Sequence, residues 1–491
     1  MESVPTSFSS LNYPDDMLAI IRNGLKRGTA PKEILIAGAG IAGLVSASLL
    51  KKAGHKVTIL EGNTRVGGRI YTVRHPFTKG NYVDLGAMRI PNTHVLIWEY
   101  IRLFKLRTNK FINSTPYDLI FVNNVLTTRK QYENNPDILG FPIQEWEKGK
   151  TAAELFLTAV KPFIDLYNNS TSEQREELLK QYGRYSMQDF LKYNPLGPPL
   201  SSNAIRMINV LLDMEGFEEL SFTDILIDII FPIFNADIEF YEIHGGNDKL
   251  PLSFLAELHN NILYGQKVER IIQTDKNILF QTRNQITGEV HSFSGDLAIT
   301  TIPFPVFQFI DVIPYDSLSF NKWRAIRSLQ SVTSVKIAIE FKSRFWEKFK
   351  VGNAISDLPI RFSYIPSHGV GKNGPSILLA SYSWGHDAML WNSLSNKNII
   401  YYALKDLAKV YGNIVYMEYL QGISFNWGKN PFSAGCFTLF TPGQMEDFGD
   451  SIQKHEERLH FAGEHTSFFH GWIEGAIESG IRVAYEVNER V

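Results

Sequence analysis

Three glycines, Gly38, Gly40 and Gly43, sit between an apolar run, EILIA at 33 to 37, and the helically spaced LVSASLLKKAG. That order demands a strand, a tight turn and a helix in immediate succession. A second apolar run, VTIL, ends on Glu61, 23 positions after Gly38. Gly38 permits the turn, Gly40 lets backbone amides approach a pyrophosphate, and Gly43 allows the helix to lie close to the strand. Ile41 and Ala42 then open the helix, whose positive dipole end faces the phosphates. Glu61 is placed to accept hydrogen bonds from ribose hydroxyls, which favours an adenine dinucleotide without a 2′-phosphate. A glycine triplet alone is an ordinary turn; strand, helix, second strand and acid together predict a dinucleotide site.

The residues after Glu61 narrow the cofactor. Gly62, Arg65, Gly67, Gly68 and Arg69 continue the motif as EGNTRVGGR, which resembles the E-x(5)-GGR extension of flavoproteins built on two dinucleotide-binding domains. The resemblance implies FAD rather than NAD. Near the other end of the sequence, RLHFA (458 to 462) reads as a strand, GEHT as a turn, and GWIEGA (471 to 476) as the start of a helix rich in small residues. This places Glu464 and a second helix N-terminus beside the cofactor. In the family resembled, the segment meets the ribityl phosphate and the flavin pyrimidine edge, which implies contacts from Gly471, Trp472, Ile473 and Ala476. Val268, in GQKVERII, matches the strand that meets the adenine; the same residues also read as a plain edge strand.

NYVDLGAMRIP (81 to 91) resembles the LGxMRxP signature of L-amino acid oxidases, and Gly86, Ala87, Met88 and Arg89 are thereby expected at the cofactor. IRNGLK, EYIRLFKL, HGGNDKLP (244 to 251) and FWEK from Phe345 extend the resemblance over most of the chain. Residues 146 to 235 match it loosely. The case for Arg89 also stands on chemistry, because an amino-acid substrate brings a carboxylate into an apolar pocket, where a guanidinium fork pairs with it bidentately. A structural ion pair or a phosphate contact is the competing reading. The resemblance assigns Tyr382 and Trp472 to the two rings flanking the substrate amine, with the Gly471 carbonyl accepting from it. It also assigns Lys336 to assisting the reaction of oxygen with reduced flavin. Strand alternation alone leaves that lysine free to face solvent.

Two features depart from or extend the pattern. Some family members carry a histidine, suggested as the amine base, where this chain reads DIIFPIFNADIEFYEI, without one; His470 is expected to act only from behind the site. Cys436, the single cysteine, lies in a segment resembling the one through which monoamine oxidases join a cysteine to flavin. Non-covalent FAD is favoured, with a link at Cys436 as the alternative.

The balance of 49 basic and 51 acidic residues provides no broad field for nucleic acid or anionic membrane. One cysteine excludes an internal disulfide and a thiolate zinc site, and no metal is expected. The partners expected are an L-amino acid and oxygen, with a homodimer implied by the family. The start of the chain lacks a basic run before its short apolar patch, which predicts a cytoplasmic address. The fold class expected is α/β. A Rossmann-like FAD domain takes 30 to 72, 240 to 330 and 425 to 491; a mixed-sheet substrate domain takes 73 to 145 and 331 to 424. Residues 146 to 235 form a helical insert whose start includes a Ser170/Glu173 capping box, and 1 to 29 pack on the substrate domain. The reaction implied is hydride transfer from the substrate α-carbon to flavin N5, giving 2-oxo acid, ammonia and hydrogen peroxide. An amide-forming 2-monooxygenase, a monoamine or polyamine oxidase, and a flavin-binding protein without turnover are the alternatives.

Overall fold

A computed structural model describes residues 11–27, 30–230 and 238–490. The strand Glu33–Ala37 is followed directly by the helix Ile41–Lys52 and the strand Lys56–Glu61. Both strands belong to a five-stranded parallel sheet in the order Ile262–Tyr264, Lys56–Glu61, Glu33–Ala37, Leu297–Thr300, Leu459–Phe461. Three widely separated stretches of sequence therefore build one sheet. Its strands are near-continuous apolar runs because helices or other strands cover both faces.

The helix Ile41–Lys52 is buried from Ile41 to Leu50 and packs against the C-terminal helix Ile473–Glu489. Small residues allow that approach: a Cβ on Gly480 would stand 2.7 Å from the Ala42 carbonyl oxygen. A four-stranded sheet carries Gln266–Gln273 as an inner strand, antiparallel to Ile278–Asn284 and parallel to Asp311–Ile313. The edge-strand reading of the Val268 segment is thus corrected, since both sides of that strand have partners.

A seven-stranded mixed sheet lies beyond the cofactor region, with Ser334–Phe341 between Tyr419–Asn426 and Ser376–Trp384. Helices Ala152–Asn168, Ser172–Tyr182, Met187–Tyr193 and Ser202–Leu211 share one apolar core with the segment Phe222–Ile230. The capping box expected at Ser170 and Glu173 is formed one residue later, by Thr171 and Gln174. The helix Asp15–Asn23 packs on Val95–Leu103 and on the C-terminal helix, with Arg22 paired to Glu99 and the Tyr13 hydroxyl donating to Glu474. Of the stretch expected to hold an amine base in relatives, residues 231 to 237 lie outside the described residues. No helix of the described residues is long and apolar enough to cross a membrane.

Candidate active site and flavin cradle

Gly38 adopts φ +106°, and a Cβ there would meet Thr301 Oγ1 at 2.4 Å, so the first turn of the motif accepts only glycine. A Cβ on Gly43 would stand 2.1 Å from the Gly38 carbonyl oxygen, which is the close helix-to-turn packing expected of it. Gly40 differs: its φ is −68° and nothing lies within 4 Å of its would-be Cβ. The space beside Gly40 opens into an elongated cavity of about 700 Å³ running from Glu61 and Val268 to Arg89, Tyr382 and Trp472.

Two helices begin on this cavity. Ile41 and Ala42 start one, Ile473 and Ala476 belong to the first turn of the other, and all four line the wall. Neither helix has a side-chain cap, since Gly40 and Trp472 occupy the N-cap positions without a capping hydrogen bond. Uncapped amides at a helix start need an external acceptor and carry the positive end of the dipole. Two such ends on one cavity suit a diphosphate and an electron-accepting ring. Glu61 accepts from the Ala39 and Asn63 amides at 2.6 and 2.7 Å. Burial raises its pKa, against those bonds and the neighbouring Arg65. It reaches the cavity wall with lone pairs to spare for hydroxyl donors. These residues fit FAD.

The two halves of the cradle are tied by Glu464. It pairs with Arg69, and its other oxygen accepts from Gly471 at 3.0 Å and Thr438 at 3.3 Å. Burial alone would raise this carboxyl, but Arg69 and the two histidines His465 and His470 hold it down at about 2. Gly86 crosses under Arg69 so closely that a Cβ would touch the Arg69 carbonyl oxygen at 2.0 Å; this joins the GGR and LGAMR segments into one wall.

Arg89 borders the cavity, donates to the Asn113 side-chain carbonyl and lies over the Phe240 ring at 5.4 Å. No carboxylate lies within 4.0 Å of its guanidinium among the described residues; the buried carboxyl of Asp213 is near enough to interact with it electrostatically. Tyr382 and Trp472 line the same cavity and pack in one apolar cluster with Met88 and Phe240. Lys336 does not line it. The side chain is buried rather than solvent-facing, with Nζ donating to the carbonyls of Gly86 at 2.6 Å and Asp84 at 3.2 Å and lying 4.3 Å from the Tyr382 ring centre. Burial pulls its pKa down to about 8, against Cys436 and Asp84. Gly43 also lies off the wall, behind Gly38.

The scan of family models matches residues 41–488 to flavin containing amine oxidoreductase. This chain belongs to that family. A protein of Bacillus subtilis (strain 168) named "Putative L-amino-acid oxidase YobN" is 49% identical over 96% of this chain and 98% of its own. The L-amino-acid oxidase of Siganus canaliculatus is 35% identical, covering 98% of this chain and 89% of its own. Among solved structures, cyclohexylamine oxidase from Brevibacterium oxydans IH-35A superposes with a TM-score of 0.75 at 18% identity, over 94% of this chain and 99% of that one. The α/β architecture is therefore that of a flavin amine oxidoreductase, with its FAD region, mixed-sheet substrate region and helical part.

Sequence reasoning did not find every residue of the cavity. Trp384, Trp427, Ile229 and His94 line it as well. Burial holds the His94 imidazole neutral, with its pKa down at about 3, and its ring stands edge-on to Trp472 at 4.9 Å. Cys436 borders the cavity too. Burial raises its thiol pKa despite Ser334, Lys336 and Arg69 nearby, which keeps it a thiol rather than a reactive thiolate. His470 is buried away from the wall, beside Asp224 and Asp228. Asp228 could have been suspected as a lone carboxylate inside the greasiest stretch of the chain, because burying a charge without a partner is costly.

Proposed function

We propose that the chain is an L-amino acid oxidase: it takes a hydride from the α-carbon of an L-amino acid and returns 2-oxo acid, ammonia and hydrogen peroxide. The observation that carries this reading is Arg89, a cation bordering the cavity that Tyr382, Trp384 and Trp472 also line, hydrogen-bonded to neutral groups, the Asn113 amide and the Tyr364 hydroxyl. Burial pushes the nearby carboxyl of Asp213 up to about 7, against Arg361 and Arg89, and a substrate carboxylate supplies Arg89 with a bidentate counter-charge that an amine without one would not. Bound FAD supplies the hydride acceptor at N5; the protein supplies orientation. Arg89 anchors the carboxylate, while Tyr382, Trp472 and the Gly471 carbonyl place the amine, so that the α-hydrogen faces the cofactor. His94, neutral across the working pH range, adds no charge to compete with the amine. Lys336 acts behind Tyr382, from the Asp84 and Gly86 carbonyls, in the return of electrons to oxygen. The FAD region would take 30 to 72, 240 to 330 and 425 to 491, with the substrate region and the helical insert between. A cytoplasmic homodimer completes the reading.

Support for the substrate class comes from relatives named as L-amino-acid oxidases, the Bacillus subtilis one as putative, and from the aromatic wall formed by Tyr382, Trp384 and Trp472, which favours large apolar side chains. The test is anaerobic mixing of the yellow protein with L-amino acids, D-amino acids and simple amines, followed by air and assays for peroxide, 2-oxo acid and amide. Bleaching by L-amino acids with peroxide and 2-oxo acid is expected. Amide in place of 2-oxo acid would make it a monooxygenase, and bleaching only by amines lacking a carboxylate would remove the role given to Arg89.

A further inference from the structure

The apolar segment after Phe222 turns as a π-helix over Ile225–Ile230, a wide-turn geometry that often marks functional positions. It carries two carboxylates, Asp224 and Asp228, whose oxygens lie within 4.8 Å of one another and of a ring nitrogen of His470. The His470 Nδ1 stands 3.3 Å from Asp224 and 3.5 Å from Asp228. Two carboxyl groups in contact away from water cannot both ionise, so one keeps its proton. Burial, and then the Asp224 charge, push Asp228 well up, which makes it the protonated member. Burial would lower His470, but Asp224 and Glu464 outweigh it and leave the imidazole above its ordinary range.

The cluster and its neighbour Glu464 hold His470 and the two wall residues that follow it. The His470 amide donates to the Asp228 carboxyl at 3.3 Å, the Gly471 amide donates to Glu464, and the Trp472 indole donates to the Asp228 backbone carbonyl at 2.6 Å. Asp224 is itself fixed by the Phe440 amide at 2.5 Å. The groups facing the cluster are Glu464, with Arg69 paired to it, and beyond them His465, which burial holds neutral with its pKa down at about 3; the Phe440 ring stands edge-on to His470. The neighbour of Asp228, Ile229, lines the cavity. One helical turn of the insert therefore holds Trp472 directly and Gly471 through the adjoining His470, and no hydrogen bond or ion pair joins it to Arg89 among the described residues.

We propose that Asp224, Asp228 and His470 are positioning residues, a hydrogen-bonded clamp by which the helical insert sets the Gly471 carbonyl and the Trp472 indole for the amine but leaves carboxylate binding alone. This rests on the oxidase reading above. The test compares L-phenylalanine with 3-phenylpropanoate, the same skeleton without the amine, in the flavin-loaded wild type and in the near-isosteric variants Asp224→Asn and His470→Gln. Anaerobic flavin reduction by L-phenylalanine is expected to slow at least tenfold, while the dissociation constant of 3-phenylpropanoate, read from the flavin absorbance, changes less than twofold. Equal weakening for both compounds, no change for either, or loss of flavin from both variants would each show a merely structural cluster and overturn the proposal. A wild type that no L-amino acid reduces would instead overturn the oxidase reading, before any variant is made.

Discussion

Arg89 is the residue on which the substrate class turns, and replacing it separates binding from cofactor retention. A hydrogen bond to a charged group contributes about 1.5–3 kcal/mol. Arg89→Met should therefore lower kcat/KM for L-amino acids by roughly 10- to 150-fold while the bound flavin spectrum stays unchanged, as steady-state kinetics and absorbance would show. Lys336 offers a pH signature. With its pKa near 8, the ammonium is charged below that pH and lost above it, so the rate at which oxygen reoxidises reduced flavin should fall as pH rises through about 8. In Lys336→Met that dependence should disappear while flavin reduction by substrate persists; stopped-flow mixing with oxygenated buffer reads both. The same shift bears on folding. The unfolded chain keeps this proton up to its ordinary 10.5, so between about 8 and 10.5 it binds more protons than the folded chain, and the Lys336 contribution to stability rises with pH in that window.

Among the elements, the glycine turn yields the sharpest contrast. Gly40→Ala meets neither a steric obstacle nor a forbidden φ, so it should fold with an unchanged melting temperature for the flavin-free protein and yet bind FAD more weakly, because only the cofactor occupies that space. Gly43→Ala collides with the Gly38 carbonyl and should lower both stability and flavin content; thermal melts and flavin-to-protein ratios distinguish the two. This motif was legible to the residue because strand, turn and helix follow one another locally. The helical insert was legible as helices but not in detail. In the run Ser170 to Gln174, two hydroxyls are each followed three residues later by a box-completing side chain, and Thr171 with Gln174 took the role predicted for Ser170 with Glu173. The Asp224–Asp228–His470 cluster had no local signal beyond a misplaced carboxylate, since its partners are more than 240 positions apart. His94 was equally hidden, being an N-cap residue whose place on the cavity depends on Trp472.

For the whole molecule, Cys436 decides how the cofactor is retained. Its thiol borders the cavity, and burial raises its pKa, which disfavours a thiolate attack on the flavin, so the expected mode is non-covalent FAD held by the cradle. Acid precipitation should release all flavin into the supernatant, and the intact mass of the precipitate should equal that of the bare chain. The discontinuous sheet has a further consequence, for biosynthesis. Ile41 and Ile473 open the two helices that meet at the cofactor, yet more than four hundred residues separate them. At about 5–20 residues per second, the ribosome needs roughly 20–90 s to deliver the second after the first. Throughout that interval the buried face of Ile41–Leu50 lacks the helix Ile473–Glu489 that packs on it, and the sheet is open first at Glu33–Ala37, until Leu297–Thr300 is made, and then at Leu297–Thr300, until Leu459–Phe461 follows. Flavin capture is thereby a late event that certifies a finished chain, and a nascent polypeptide stalled before Leu459 would be a substrate for chaperones and proteases rather than a half-active oxidase.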